Sequence, residues 1–127
     1  MNGVTYDAGA LIAADRNDRA MWALHAGFLA EEVTVTVPSP VVAQAWRGGG
    51  RQANLARLLV LCEIEDLSSA QARRVGALAG QADHDDIVDM TVVEGAIRRR
   101  DAVITSNPTH ISSISDAVRA HIIIETI

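Results

Sequence analysis

Four polar residues of this chain stand where their side chains can meet. Asp7 follows the run Val4-Thr5-Tyr6, and Asn107 follows Ala102-Val103-Ile104-Thr105. In open α/β sheets ligands bind outside the carboxyl ends of the strands, so residues just after two such runs are the first to consider. Asp86 and Asp89 are three apart near the start of a helix, which puts both carboxylates on one face close to the favourable end of its dipole. Carboxylates gathered in one pocket repel one another and partly protonate unless a cation neutralises them, and hard oxygen donors favour Mg²⁺ or Mn²⁺. Such a site lowers the pKa of a bound water and stabilises the charge that develops when a phosphodiester is attacked, without a histidine or cysteine nucleophile. The same residues also admit a plainer use, with Asp7 as a helix cap and Asp83, Asp85 and Asp86 as a solvated cap and first turn. Spacing alone leaves both open.

The elements that would carry these residues follow from periodicity and capping. Val4 to Tyr6 reads as a first strand delivering Asp7 to a helix from Ala8 to Ala14. Asn17 or Asp18 caps a second helix running to about Glu32, with Met21, Leu24 and Phe28 at helical spacing and His25 at the edge of that stripe. Val33 to Val37 alternates β-branched residues and ends at Pro38. Ser39 then caps a helix with Pro40 at its first position, carrying Val41, Val42, Gln44, Ala45 and Trp46 until Gly48-Gly49-Gly50 breaks it. Leu55, Leu58 and Leu59 give the next helix its apolar face, and Cys62 to Leu67 offers a short strand around Ile64. Ser68 or Ser69 caps a helix to about Ala82. The next helix spans Ile87 to Arg99, with Ile87, Val88, Val92, Val93, Ala96 and Ile97 facing the core. Asn107-Pro108 opens a short helix, and His121-Ile122-Ile123-Ile124 reads as a last strand. The resulting order is β-α-α-β-α-α-β-α-α-β-α-β, the α/β class, with no internal repeat or linker.

Length and composition narrow the functional classes. The 127 residues suffice for one domain with one core, spanning 1–127. Aromatic residues make up only 3% while hydrophobic residues reach 49%, so the core is packed from Val, Ile, Leu and Ala, which suits helices laid on a mainly parallel sheet. A net charge of −5 argues against nucleic-acid binding through a broad basic surface, so any such contact is local. All 11 basic residues are arginines. The single cysteine, Cys62, cannot form an intrachain disulfide and reads as a buried small hydrophobe, which fits a reducing cytoplasm. The segment beginning Met1-Asn2-Gly3 has no basic region ahead of a long apolar run, and no membrane span is expected anywhere.

Three segments taken together carry a family resemblance. Thr5-Tyr6-Asp7-Ala8-Gly9-Ala10-Leu11-Ile12, then Asp86-Ile87-Val88-Asp89, then Ala102-Val103-Ile104-Thr105-Ser106-Asn107-Pro108, resemble the N-terminal, central and C-terminal acidic motifs of PIN domains of the VapC toxin type. Val41-Val42-Ala43-Gln44-Ala45-Trp46-Arg47-Gly48-Gly49 adds to the match. The resemblance implies a single PIN-like domain acting as an Mg²⁺- or Mn²⁺-dependent endoribonuclease. Proteins of this type are commonly the toxin of a toxin–antitoxin pair, often dimeric and inhibited by a small antitoxin protein. It makes Asp7 and Asp89 metal ligands and catalytic residues, with Asp86 beside them, and gives Asn107 the fourth ligand position.

Two positions depart from the family pattern. Gln44 stands where many members carry glutamate, and Asn107 where the TSD-like motif usually ends in aspartate. Both keep an oxygen donor and remove a charge, so metal binding weakens. They motivate the alternative of a catalytically inactive PIN-like domain that binds RNA or a protein partner. Arg47 and Arg51 flank the glycines and can hold RNA phosphates, or be solvated surface arginines. The four histidines lack a metal-ligand spacing; His84 joins the acidic cluster or lies on the surface, and His110 falls near the pocket without an assigned role. A receiver domain needs a lysine that this chain lacks. A dehalogenase-type phosphatase needs a second aspartate where Gly9 stands. Gly48-Gly49-Gly50-Arg51-Gln52 lacks the Gly-Lys-Ser/Thr ending of a P-loop.

Overall fold

The computed structural model describes residues 3–127, so the first two residues of the N-terminal segment considered above lie outside the described residues. Strand β1 (Gly3–Tyr6) leads into helices α1 (Ala8–Asp15) and α2 (Arg19–Ala30). β2 (Thr34–Pro38) is followed by α3 (Ser39–Ala45), a single 3₁₀ turn (Gly50–Gln52) and α4 (Ala53–Leu59). β3 (Glu63–Glu65), α5 (Ser69–Ala82), α6 (Ile87–Arg99), β4 (Ala102–Thr105), α7 (Pro108–Ala117) and β5 (Ile124–Thr126) complete the chain. The five strands form one sheet in the order β3-β2-β1-β4-β5, and every pair is parallel. Parallel strands need crossovers, which the seven helices provide, and burial on both faces explains why β1 and β4 are fully buried runs rather than alternating ones.

This order fixes where a ligand can sit. From β1 the chain winds outward through β2 to β3, then returns to place β4 on the other side of β1 and β5 beyond it. The switch point lies between β1 and β4, where Tyr6 is paired with Ile104. Asp7 leaves the end of one strand and Ser106-Asn107 the end of its neighbour, so the two turns face each other at the crevice that this topology opens. They are pressed together: a Cβ built on Gly9 would lie 2.1 Å from Ser106 Oγ. Only glycine lets the turns approach this closely.

The core joins Tyr6, Leu11, Met21, Leu55, Leu58, Met90, Ile104, Ile111 and Ile114, all fully buried. Helix α6 is its centrepiece, packed against α3, α5, α7, β1, β2 and β4. Consequently residues 90–96 are buried all round, including Thr91 and Glu94. Glu94 accepts hydrogen bonds from Gln71 Nε2 (2.8 Å), Arg74 Nε (2.8 Å) and Arg98 Nε (3.0 Å). Arg98 and Arg99 also pair with Glu65, tying the end of α6 to the edge strand β3.

Several expectations are corrected by this packing. Ile87 and Ile97 do not face the core but stand exposed, because they lie at the two ends of a helix whose middle is enclosed on every side. Ser39 is the first residue of α3 rather than its cap; its hydroxyl accepts a hydrogen bond from Leu67 N at 3.2 Å instead. Asp18 and Ser68 are the residues that cap α2 and α5. His25 lies on the buried face of α2, not at the edge of its apolar stripe, and its Nδ1 shares a 2.8 Å hydrogen bond with the Tyr6 hydroxyl. The last strand begins at Ile124, three residues after the expected start at His121. Cys62 is half-buried, and burial pushes its thiol up to about 12, leaving it an inert donor to Leu58 O. Among the described residues, no helix is long and apolar enough to cross a membrane.

Candidate metal site

Two of the three acidic residues are held by helix N-termini. Asp7 caps α1, its Oδ1 accepting from Ala10 N at 3.1 Å, and only 7% of it is exposed. Burial pushes its carboxyl above the ordinary aspartate range, against hydrogen bonds from Thr105, Ala10 and Gly9 that pull it down. Thr105 Oγ1 also accepts from Asn107 N at 2.9 Å, so one buried hydroxyl links the two turns of the crevice. Asp86 caps α6, its Oδ1 accepting from Asp89 N at 3.1 Å.

Asp89, in the first turn of α6, caps nothing. Its carboxyl is pushed up by burial and then by the charges of Asp86 and Asp7, while His110 pulls it down. His110 Nε2 lies 2.6 Å from Asp89 Oδ2. One donor atom from each of Asp86, Asp89 and His110 can be chosen so that all three lie within 4.8 Å of one another. The His84 and His110 rings lie 5.0 Å apart, and His84 Nδ1 accepts from Asp86 N at 3.2 Å. His84 therefore joins the cluster as a support. The structural use of aspartates weighed from spacing is realised for Asp7 and Asp86 but not for Asp89, which caps no helix and is set between two like charges and the His110 ring.

The remaining candidates lie outside this cluster. Asn107 caps α7, its Oδ1 accepting from His110 N at 3.4 Å, and it is exposed. Gln44 is exposed near the end of α3, a helix packed against both α1 and α6. Arg47 turns its guanidinium back onto Ala43 O (3.2 Å) and Trp46 O (2.8 Å), closing the end of α3. Arg51 is exposed on the 3₁₀ turn. Gln52 Oε1 organises the glycine segment by accepting from the backbone N–H groups of Arg47 and Gly48. His110 was the residue that sequence spacing missed. Its only sequence signal is its place in the first turn of a helix opened by Asn107, one turn beyond the strand end.

The donor chemistry fits a divalent cation. Two carboxylates and an imidazole converge, and a buried third carboxylate adds to the negative potential. No protein-family model and no curated protein sequence matches the chain. Among solved structures, that of VapBC2 from Rickettsia felis bound to a DNA fragment from their promoter is similar, with a TM-score of 0.69 at 18% identity over 97% of each chain. The chain has a PIN-like fold. In that PIN-like frame, Asp7, Asp86, Asp89 and Asn107 all lie at helix N-termini, and the first and last of them flank the β1–β4 switch point.

Proposed function

We propose that this PIN-like domain, spanning 1–127, is a metal-dependent endoribonuclease and the toxin of a toxin–antitoxin pair. The observation that carries this is Asp89, whose carboxylate meets Asp86 and His110 without capping any helix. Asp7, Asp86, Asp89 and the amide oxygen of Asn107 would hold Mg²⁺ or Mn²⁺. When bound, the ion supplies Lewis acidity at the phosphodiester and a more acidic water.

The residues of the chain perform the remaining work. Hydrogen bonds from Ala10 N and Asp89 N fix the Asp7 and Asp86 carboxylates before anything binds, so little ordering is left to be done on binding. The helix N-termini of α1, α6 and α7 converge on one crevice and favour the anionic backbone of an RNA strand. Arg51, exposed on the 3₁₀ turn, would contact phosphates, and Arg47 would join it on leaving the carbonyls of Ala43 and Trp46. With an overall charge of −5, RNA contact is confined to this face. The likeness to VapBC2 supports a small antitoxin protein as partner, and a homodimer in a reducing cytoplasm completes the proposal.

A second reading, an inactive PIN-like domain that binds RNA or a protein partner, is favoured by the neutral Gln44 and by Asn107, whose side-chain oxygen is engaged at the α7 N-terminus. Calorimetry with Mn²⁺ and Mg²⁺ on the wild type, Asp89→Ala and Asn107→Asp, followed by RNA cleavage assays, separates the two. Binding lost in Asp89→Ala and strengthened in Asn107→Asp, with metal-dependent cleavage, supports the nuclease. Absence of wild-type binding at millimolar metal sinks it in favour of the binding module.

A further inference from the structure

We propose that His110 is itself a ligand of this ion, and that the resulting carboxylate–imidazole set moves the site's preference from Mg²⁺ toward borderline transition ions such as Co²⁺, Ni²⁺ and Zn²⁺. The proposal rests on the metal-site reading above and adds the donor and the metal class.

Three observations carry it. First, His110 Nε2 is directed at the carboxylate pair, 2.6 Å from Asp89 Oδ2 and within 4.8 Å of the Asp86 donor. Adjacent ligands of one ion, each about 2.1 Å from it and at right angles, are about 3.0 Å apart, so the His110–Asp89 pair has only a few tenths of an ångström to open. Second, the ring is held in place. Its backbone N–H is anchored by the Asn107 cap, and its face lies against His84, which in turn accepts from Asp86 N. These contacts hold the helix turn and the ring in place beside Asp89. Third, the Asn107 side-chain oxygen is engaged in capping, and its neutral amide is a weaker donor than a carboxylate. His110 stands one turn further along the same helix and supplies a nitrogen.

Oxygen-only sites favour Mg²⁺ and Mn²⁺, whereas an imidazole favours Zn²⁺, Ni²⁺ and neighbouring ions. A protonated His110 could instead make the same contact as an ion pair with Asp89, and metal titration separates these roles. Calorimetry of the full chain with Co²⁺, Ni²⁺ and Mg²⁺, each alone, compares the wild type with His110→Ala and His110→Gln, circular dichroism verifying that each variant is folded. Every site gains affinity along the transition series, so the change in the Co²⁺/Mg²⁺ ratio is diagnostic rather than the ratio itself. Removing the imidazole should lower Co²⁺ affinity on the order of tenfold or more, with Mg²⁺ changed by less than about twofold. The Co²⁺-loaded wild type should also show a hyperfine-shifted, exchangeable imidazole proton in its NMR spectrum that both variants lack. An unchanged ratio in both variants, with Asp89→Ala abolishing binding of all three ions, overturns the role of His110 and leaves the metal site standing. Failure of the wild type to bind any of the three ions overturns both.

Discussion

Placing a methyl group on Gly9 forces apart the two turns that frame the crevice. The added Cβ would lie 2.1 Å from Ser106 Oγ and 3.1 Å from both Ser106 Cβ and N. The hydroxyl can rotate away, but the Cβ and amide belong to the turn itself, which must retreat by a few tenths of an ångström. Two effects oppose each other. Alanine favours the helix over glycine by at most about 1 kcal/mol, and less than that in a first turn. Overpacking a tight contact costs about 1–3 kcal/mol. Overpacking wins, and Gly9→Ala is destabilised by about 1–2 kcal/mol; for a chain of this size each kcal/mol lowers the melting temperature by roughly 3–6 °C. The same displacement moves Asp7 away from the turn leading to His110, so Mn²⁺ affinity falls in parallel. Ser106→Gly removes the opposing Cβ and hydroxyl, and the double variant should recover most of the loss, with a coupling of about 1 kcal/mol. Thermal denaturation and Mn²⁺ calorimetry on the four proteins measure both effects. A Gly9→Ala protein at least as stable as the wild type, or a loss that Ser106→Gly leaves untouched, refutes the steric argument.

Other perturbations test the framework around the site. Burial pushes the Glu94 carboxyl up, but hydrogen bonds from Arg98, Arg74 and Gln71 outweigh it and hold the group below its ordinary range. Glu94→Ala strands the buried Gln71 while Arg74 and Arg98 can still reach water, so urea denaturation should register a loss of about 2–4 kcal/mol; under about 0.5 kcal/mol would show that the network contributes nothing. Burial also holds His25 below its ordinary value. The unfolded chain therefore takes up its proton first as pH falls, so this contribution is complete above the unfolded value of about 6.5 and lost progressively below it. Chemical denaturation between about pH 7 and 5 should show this slope in the wild type and not in His25→Phe. An identical slope in both proteins would assign the proton uptake elsewhere.

How far the sequence reveals the structure depends on whether local signals suffice. β4 and α6 are found at their observed limits, since a β-branched run and a cap followed by an apolar helix are decided by neighbours in the chain. The start of β5 is not, because three consecutive isoleucines fit several registers. Only the pairing of Ile124 with Val103 selects one. His25 and His110 look alike in sequence, each lying in a helix, yet one is buried against Tyr6 and the other meets Asp89. That difference is created by which elements pack over each helix. Asp86 and Asp89 were legible as a pair because helix starts have known positions in α/β folds, whereas the third donor within 4.8 Å of them is His110 and not Asp7, whose charge reaches Asp89 from the neighbouring turn. The engagement of Asn107 as a cap and the inward turn of His110 were not, because both depend on how α7 is set against α6.

The central position of β1 has a consequence for the making of the protein. This strand leaves the ribosome well before β4, one of its two partners, and the hydrogen bond between Thr5 and Asp101 spans 96 residues. Closing so large a loop is slow relative to local contacts. A growing chain can pair β1 with β2 early, but Asp7 faces nothing until β4 and α7 have been synthesised. The crevice therefore does not exist while only β1 to β3 have emerged, and translation itself acts as a timer that withholds the site until β4 and α7 are made.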